Sequence, residues 1–140
     1  MNFTLDDTSP DLGYTSGWAV QSPNDPGLSH FFQGTYHVAQ TTGANVTFTF
    51  TGSYIAIYGS KGPSHASFSV QADNDVFFLS AAAPSQQFQQ ILFEHTFAPP
   101  SQPGSHSITL SAILDGSDVE GRWLDLDYVS FTDGRCVDFN

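Results

Sequence analysis

From Ala44 to Thr51 the sequence ANVTFTFT alternates without a break. Val46, Phe48 and Phe50 fall on one side, and Asn45, Thr47, Thr49 and Thr51 on the other. A period of two built from β-branched and aromatic residues describes a strand with one buried and one wet face, and no helix can satisfy it. Gly52-Ser53 interrupts the run, and a second strand follows with Ile55 and Ile57 opposite Tyr54, Ala56 and Tyr58. The five apolar residues Val46, Phe48, Phe50, Ile55 and Ile57 are therefore expected in a core. Beyond Tyr58 the pattern stops at GSKGPSH, Gly59 to His65, which reads as a polar loop directly after a core hairpin.

The rest of the chain repeats this grammar. Asn2 to Asp7, Gly17 to Gln21, Gly34 to Thr41, Ser67 to Ala72, Val76 to Ser80, Ile91 to Phe97, Ser105 to Leu114 and Arg122 to Thr132 all read as short strands. Between them lie turn-forming stretches such as SPNDPGLS at 22–29, Asp73-Asn74-Asp75 and PPSQPG at 99–104. Ala81 to Gln90 is weakly patterned and is expected to loop across. No twelve-residue window carries a 3.6 period, and no repeat or linker divides the chain. The expected fold is an all-β, antiparallel, two-sheet β-sandwich of the jelly-roll kind, with nine or ten strands in one domain over residues 1–140. That length suffices to bury about two thirds of the unfolded surface.

Charge narrows the function classes. Three Lys and Arg against 14 Asp and Glu give a net charge of −11. Such a chain is repelled by phosphate backbones and anionic membranes, so nucleic acid is excluded as a partner. Charged residues are only 12% of the sequence, well below the roughly 25% of average proteins. Ser, Thr and Gln supply the surface instead, and the acidic balance is compatible with neutral ligands such as glycans, with cations and with an acidic medium. The single cysteine, Cys136, allows no intrachain disulfide and sits too close to the end to be a positioned nucleophile. Two sequons, at Asn2 and Asn45, make these the candidate glycosylation sites and point to an extracellular setting. No signal peptide or membrane segment is recognisable, and Met1 runs straight into a strand, as expected of a piece of a longer secreted or anchored protein.

Candidate chemistry falls into three groups. Asp125 and Asp127 share a strand face with Cβ atoms roughly 6.5–7 Å apart, a spacing within the inverting-glycosidase range of roughly 6.5–9.5 Å, though any D-x-D strand provides it. In a jelly roll the first and last strands often pair, which would bring Asp6 or Asp7 to Asp127. Converging carboxylates without a nearby Lys or Arg are costly unless a cation joins them, so Asp6, Asp7 and Asp127 are candidate Ca²⁺ ligands. Solvated turn acids and catalytic acids are the alternatives. The five histidines show no H-E-x-x-H or H-x-H spacing, and His95 and His106 read as packed, hydrogen-bonded residues. There is no G-x-S-x-G. Trp18, Tyr36, Tyr54, Tyr58 and Trp123 could stack on sugar rings. Trp18, Tyr58, Lys61 and His65 are the expected ligand contacts, with core packing as the alternative for the aromatics.

Several stretches together carry a resemblance. They are Phe3 to Asp7, Gly17-Trp18, Gly34-Thr35-Tyr36-His37, the run from Gly43 through Phe48, Phe50 and Gly52 to Ile55, Ile57, Tyr58 and Gly59, then Lys61-Gly62-Pro63 with His65, and Leu124-Asp125 with Asp127-Tyr128-Val129. The chain resembles the extracellular, galactose-binding-like jelly-roll domains of mushroom-forming fungi and, more broadly, carbohydrate-binding modules. The resemblance implies a sandwich fold, an extracellular setting and glycan binding; with the acidic, Lys-poor, aromatic-rich composition and the Gly59–His65 loop, the leading expectation is a non-catalytic glycan-binding module, for instance for cell-wall polysaccharide. The resemblance also implies a structural Ca²⁺ bracing the first and last strands, matching Asp6, Asp7 and Asp127. A carbohydrate-active enzyme using Asp127 with His65 or Lys61, and a self-associating structural ectodomain, are the competing readings.

Overall fold

The computed structural model describes residues 2–20, 24, 25, 27–97, 104–114 and 123–132. Twelve strands occur among them: β1 (Asn2–Asp6), β2 (Gly13–Tyr14), β3 (Trp18–Val20), β4 (His37–Ala39), β5 (Asn45–Gly52), β6 (Tyr54–Lys61), β7 (Ser67–Ala72), β8 (Asp75–Ser80), β9 (Gln87–Thr96), β10 (Gly104–Ile113), β11 (Asp125–Leu126) and β12 (Tyr128–Thr132). Two single 3₁₀ turns, Leu28–His30 and Phe32–Gly34, lie between β3 and β4. The strands form a four-stranded sheet β1-β12-β6-β9 and a five-stranded sheet β2-β5-β10-β7-β8, with a small sheet β11-β4-β3 at one side. Every pairing within these sheets is antiparallel.

The alternation that opened the sequence is what the sandwich buries. Val46, Phe48 and Phe50 of β5 meet Ile55 and Ile57 of β6 and Phe68, Val70, Ile108 and Leu110 in one core cluster, all at most 5% exposed. Thr47, Thr49 and Thr51 stay exposed on the outer face. Removing apolar area at roughly 25 cal/mol per Å² makes each of these buried side chains worth about 1.5–3 kcal/mol. As expected, the first and last strands pair: β1 runs against β12 with Leu5 opposite Val129 and Asp6 opposite Tyr128.

The structure departs from the sequence pattern in four places, each with a local cause. Two of the strands beyond the expected nine or ten are β2 and β11, two residues each and too short to display a period. The strand expected over 34–41 shrinks to β4, because Phe32–Gly34 forms a 3₁₀ turn with Gln33 at φ 56°. On β9, Leu92 and Phe93 are both buried while Ile91 is 38% exposed. The cause is a bulge: Ile57 pairs with Phe93 but Tyr58 pairs with Ile91, so Leu92 is the extra residue and the phase flips. β9 also starts at Gln87, within the stretch expected to loop. Finally, β6 does not end at Tyr58. Gly59, Ser60 and Lys61 continue the strand, with Gly59 opposite Gln90 and Lys61 opposite Gln87. Residue 59 has to be glycine there, since a Cβ would lie 2.4 Å from the Asp125 carbonyl oxygen and 2.7 Å from Leu92 Cδ1.

Candidate functional site

The end of β6 is held by backbone contacts before any side chain matters. The Gly62 N–H donates to Ala81 O (3.1 Å) and the Ala83 N–H returns to Gly62 O (3.0 Å). The His65 N–H closes a turn on Gly62 O at 3.2 Å. Ala66 N–H then donates to Trp123 O (2.7 Å), and Trp123 N–H to Ser64 O (3.2 Å). These bonds set the His65 and Trp123 rings next to each other, centroids 6.4 Å apart. Above them opens a pocket of about 300 Å³, at the small end of ligand sites.

Four aromatic side chains, Phe31, Tyr36, Phe88 and Trp123, line it. Phe31 packs on Tyr36 at 4.2 Å and edge-on against Phe88 at 5.3 Å, while Tyr36 lies 6.1 Å from Trp123. Asp25, Ser64 and Gln86 supply polar groups at the same pocket. The Asp25 carboxylate accepts from the Tyr36 hydroxyl and from the Gly27 N–H (2.7 Å), and these bonds hold it below the usual carboxylate range. Burial, then the Asp25 carboxylate, pushes the Tyr36 hydroxyl up, so it remains a donor.

Beneath the wall is a buried network. Ser60 is fully buried, and Asp125 is 1% exposed. Ser60 gives both its N–H (2.7 Å) and its O–H to the Asp125 carboxylate, which also accepts Trp123 Nε1–H at 2.6 Å. Nε2 of His65 lies 2.7 Å from Ser60 Oγ. Because the Ser60 proton is taken up by Asp125, the hydrogen on that contact belongs to the imidazole. Nε2–H is therefore the donor and Nδ1 a bare acceptor. Nδ1 is buried and finds no partner among the described residues. Burial pushes the imidazole below 6.5, against the pull of Asp125, so the ring is neutral at neutral pH.

The expected ligand contacts do not gather in one place. His65 lines the pocket, whereas Lys61 ends β6, half-buried and outside the lining. Tyr58 stacks on Tyr128 (4.3 Å, 8°). Trp18 packs edge-on against Tyr14 at 5.2 Å and donates to Asn45 O (3.1 Å). Asp25, Phe31, Gln86 and Phe88 carried no motif in the sequence; loops and the start of β9 deliver them. Asp125 was visible in D-x-D, and Trp123 among the aromatics. His106 binds Asp73 at 2.6 Å and stacks on Phe97 at 3.8 Å, while His95 packs against Phe97 and Phe77, so both sit among apolar rings. Asn45 is half-buried at the start of β5, and Asn2 begins β1. Cys136 lies outside the described residues.

Asp125 and Asp127 serve separate networks. Asp127 is fully buried and accepts the Phe32 N–H at 2.9 and 3.1 Å. Burial first, then the neighbouring Asp125, Asp7 and Asp6, pushes its carboxyl up to about 8 although the Phe32 bond opposes this. Asp7, also fully buried, accepts from Thr35 Oγ1 (2.5 Å) and contacts His37 Nδ1 (2.7 Å). Its carboxyl too is raised by burial, which outweighs the His37 and Thr35 contacts. Thr35 Oγ1 bridges to Asp6 Oδ2 at 2.9 Å, and the Asp7 N–H donates to Asp127 O at 3.1 Å. Oδ1 of Asp6 is buried and unpartnered among the described residues. The three acids thus converge, but no group of three or more His, Cys, Asp or Glu among the described residues is preassembled to hold an ion.

No protein-family model matches the chain. Over 129 residues it is 30% identical to an A type blood alpha-D-galactosamine galactosaminidase of Flavonifractor plautii, covering 92% of this chain but 11% of that enzyme. A two-domain esterase active on acetylated mannans, co-crystallised with mannopentaose, superposes with a TM-score of 0.65 at 14% identity. A family two carbohydrate esterase from Cellvibrio japonicus superposes with 0.63 at 16% identity. Each superposition covers 94% of this chain and 36% or 33% of the solved one. The chain thus spans about a third of the solved structures it matches and about a tenth of the curated relative. These likenesses establish an antiparallel β-sandwich of a kind found within carbohydrate-active proteins.

Proposed function

We propose that the chain is a non-catalytic glycan-binding module, working extracellularly on a polysaccharide such as cell wall. The observation that carries this reading is the pocket walled by Phe31, Tyr36, Phe88 and Trp123 and floored by His65. Sugar C–H faces pack on aromatic planes, while a few fixed polar groups orient the hydroxyls. The match to parts of larger carbohydrate-active proteins supports it. Calorimetric titration with soluble oligosaccharides and pull-down on insoluble wall fractions test it; no binding to any of them refutes it.

A catalytic reading draws on the contact between Ser60, His65 and Asp125. The order of the contacts argues against it. A serine nucleophile needs its proton on the imidazole and the imidazole held by the acid, whereas here Ser60 donates to Asp125 and His65 donates to Ser60. Self-association would instead use β8, an edge strand exposing Val76 and Phe78 at 52% and 77%.

Calcium belongs to this proposal as a structural brace. Asp6, Asp7 and Asp127 would hold it through hard oxygens, the unpartnered Asp6 Oδ1 among them, with the Asp7 and Asp127 oxygens first giving up their bonds to Thr35, His37 and Phe32. The ion would neutralise carboxylates that burial otherwise disfavours. Glycosylation at Asn2 and Asn45 would accompany secretion.

A further inference from the structure

Among the residues that line the pocket, the most informative atom is Nδ1 of His65. The residue is 4% exposed, and this nitrogen is buried without a hydrogen-bond partner among the described residues. An unmade hydrogen bond on a buried polar atom is costly, so such an atom signals a partner still to arrive. A Cβ at residue 62 would lie 2.9 Å from Nδ1 and 2.7 Å from Gln86 Oε1, closer than side-chain atoms approach, so the imidazole and the Gln86 amide pack tightly on a residue that has to be glycine. Both His65 and Gln86 line the pocket.

The network below decides what this atom can recognise. With Ser60 O–H directed to Asp125, His65 must donate through Nε2, and Nδ1 is left as an acceptor. It therefore calls for a donor, and a sugar hydroxyl is one. The pocket's charge narrows the sugar: Asp25 lines it, Asp125 lies beneath, and no Lys or Arg among the described residues lines it. A carboxylate, sulfate or phosphate on the ligand would meet like charge and no counter-ion.

We propose that Nδ1 of His65 accepts a hydrogen bond from a hydroxyl of a neutral sugar residue in this pocket, and that Asp125, acting through Ser60, positions the ring in the tautomer that makes it an acceptor. This rests on the glycan-binding reading above and adds to it a ligand class and a recognising atom. Asp125 and Ser60 are positioning residues. One carboxylate orients both the Trp123 wall and, through Ser60, the His65 floor.

The test is nitrogen-15 NMR of the imidazole in the full chain above pH 7, titrated with mannopentaose, cellopentaose, β-1,3-galactotriose and trigalacturonic acid. The free protein is expected to show the Nε2–H tautomer. A neutral probe that binds should move the Nδ1 resonance upfield as it gains a donor. Trigalacturonic acid should bind at least about tenfold more weakly than the best neutral probe, the scale of one like-charge contact or lost hydrogen bond. The Asp125→Asn variant should populate the Nδ1–H tautomer and bind the neutral probe about tenfold more weakly. The Nδ1–H tautomer in the free wild type overturns the inference, as does equal affinity for trigalacturonic acid. Binding of a neutral sugar with Nδ1 unmoved removes this inference alone. No binding by any probe overturns this inference, and the glycan reading falls with it when the insoluble wall fractions fail to bind as well.

Discussion

Replacing Asp125 by Asn tests the buried network directly. The substitution is nearly isosteric, so packing is conserved and hydrogen bonding alone changes. The carboxylate now receives three donors, Ser60 N–H, Ser60 O–H and Trp123 Nε1–H, at a residue 1% exposed. An amide keeps one acceptor and turns the other into a donor, which must face either the Ser60 N–H or the Trp123 Nε1–H, neither of which can turn away. In the second arrangement the Ser60 hydroxyl rotates onto Nε2 of His65, and the ring takes the Nδ1–H tautomer. Either way one buried charge-assisted bond disappears and one polar group is orphaned, each worth about 1–3 kcal/mol. Trp123 is half-buried and recovers part of its bond with water, so the net loss is about 2–4 kcal/mol. At about 3 °C per kcal/mol for a domain of this size, Tm falls by about 6–12 °C. Urea unfolding followed by tryptophan fluorescence reads the change at unaltered m-value. Ser60→Ala alone should cost about 1–3 kcal/mol. The double variant should cost less than the sum by at least about 1 kcal/mol, because both remove the same bonds. Strict additivity, or an Asp125→Asn protein within about 0.5 kcal/mol of wild type, would refute the network.

Further measurements bear on other parts of the molecule. In chelator, the raised Asp127 carboxyl contributes stability that is complete below the usual carboxylate value near 3.8 and is lost as pH rises through about 8. The urea midpoint should therefore fall between pH 5 and pH 9, and Asp127→Asn should flatten that slope. Added calcium should raise Tm at pH 8 in the wild type and not in Asp127→Asn; identical melting in excess calcium and excess chelator would dismiss the ion. Gly59→Ala places a Cβ 2.4 Å from a backbone oxygen and should cost about 3 kcal/mol or more, seen as loss of soluble expression or a large drop in midpoint. Phe88→Ala should weaken glycan binding about tenfold, while Lys61→Ala, outside the pocket lining, should change it less than about twofold.

The sequence on its own determined the scaffold. Strict alternation on β5, β7 and β10 specifies which face is buried, because a one-residue slip would expose Phe48, Phe68 and Ile108 together. That Asp6 or Asp7 would meet Asp127 was likewise legible, since the first and last strands lie side by side, and it is the Asp7 N–H that bonds to Asp127 O. What period-two reading could not supply is anything set by contact across the sheets. The bulge at Leu92 comes from the register of β6 against β9, and the burial of Asp125 and Asp127 from β11 lying between β4 and β6. The candidate site is of this second kind. His65 was visible as a lone histidine after a hairpin, but its role is fixed by Asp125, sixty residues on, through a serine that looked like loop. Phe31, Gln86 and Phe88 reach the same pocket from segments with no pattern of their own. Local periodicity encodes which side of a strand faces water. Which side chains share a pocket depends on how distant segments close over one another, and only the tertiary structure decided that.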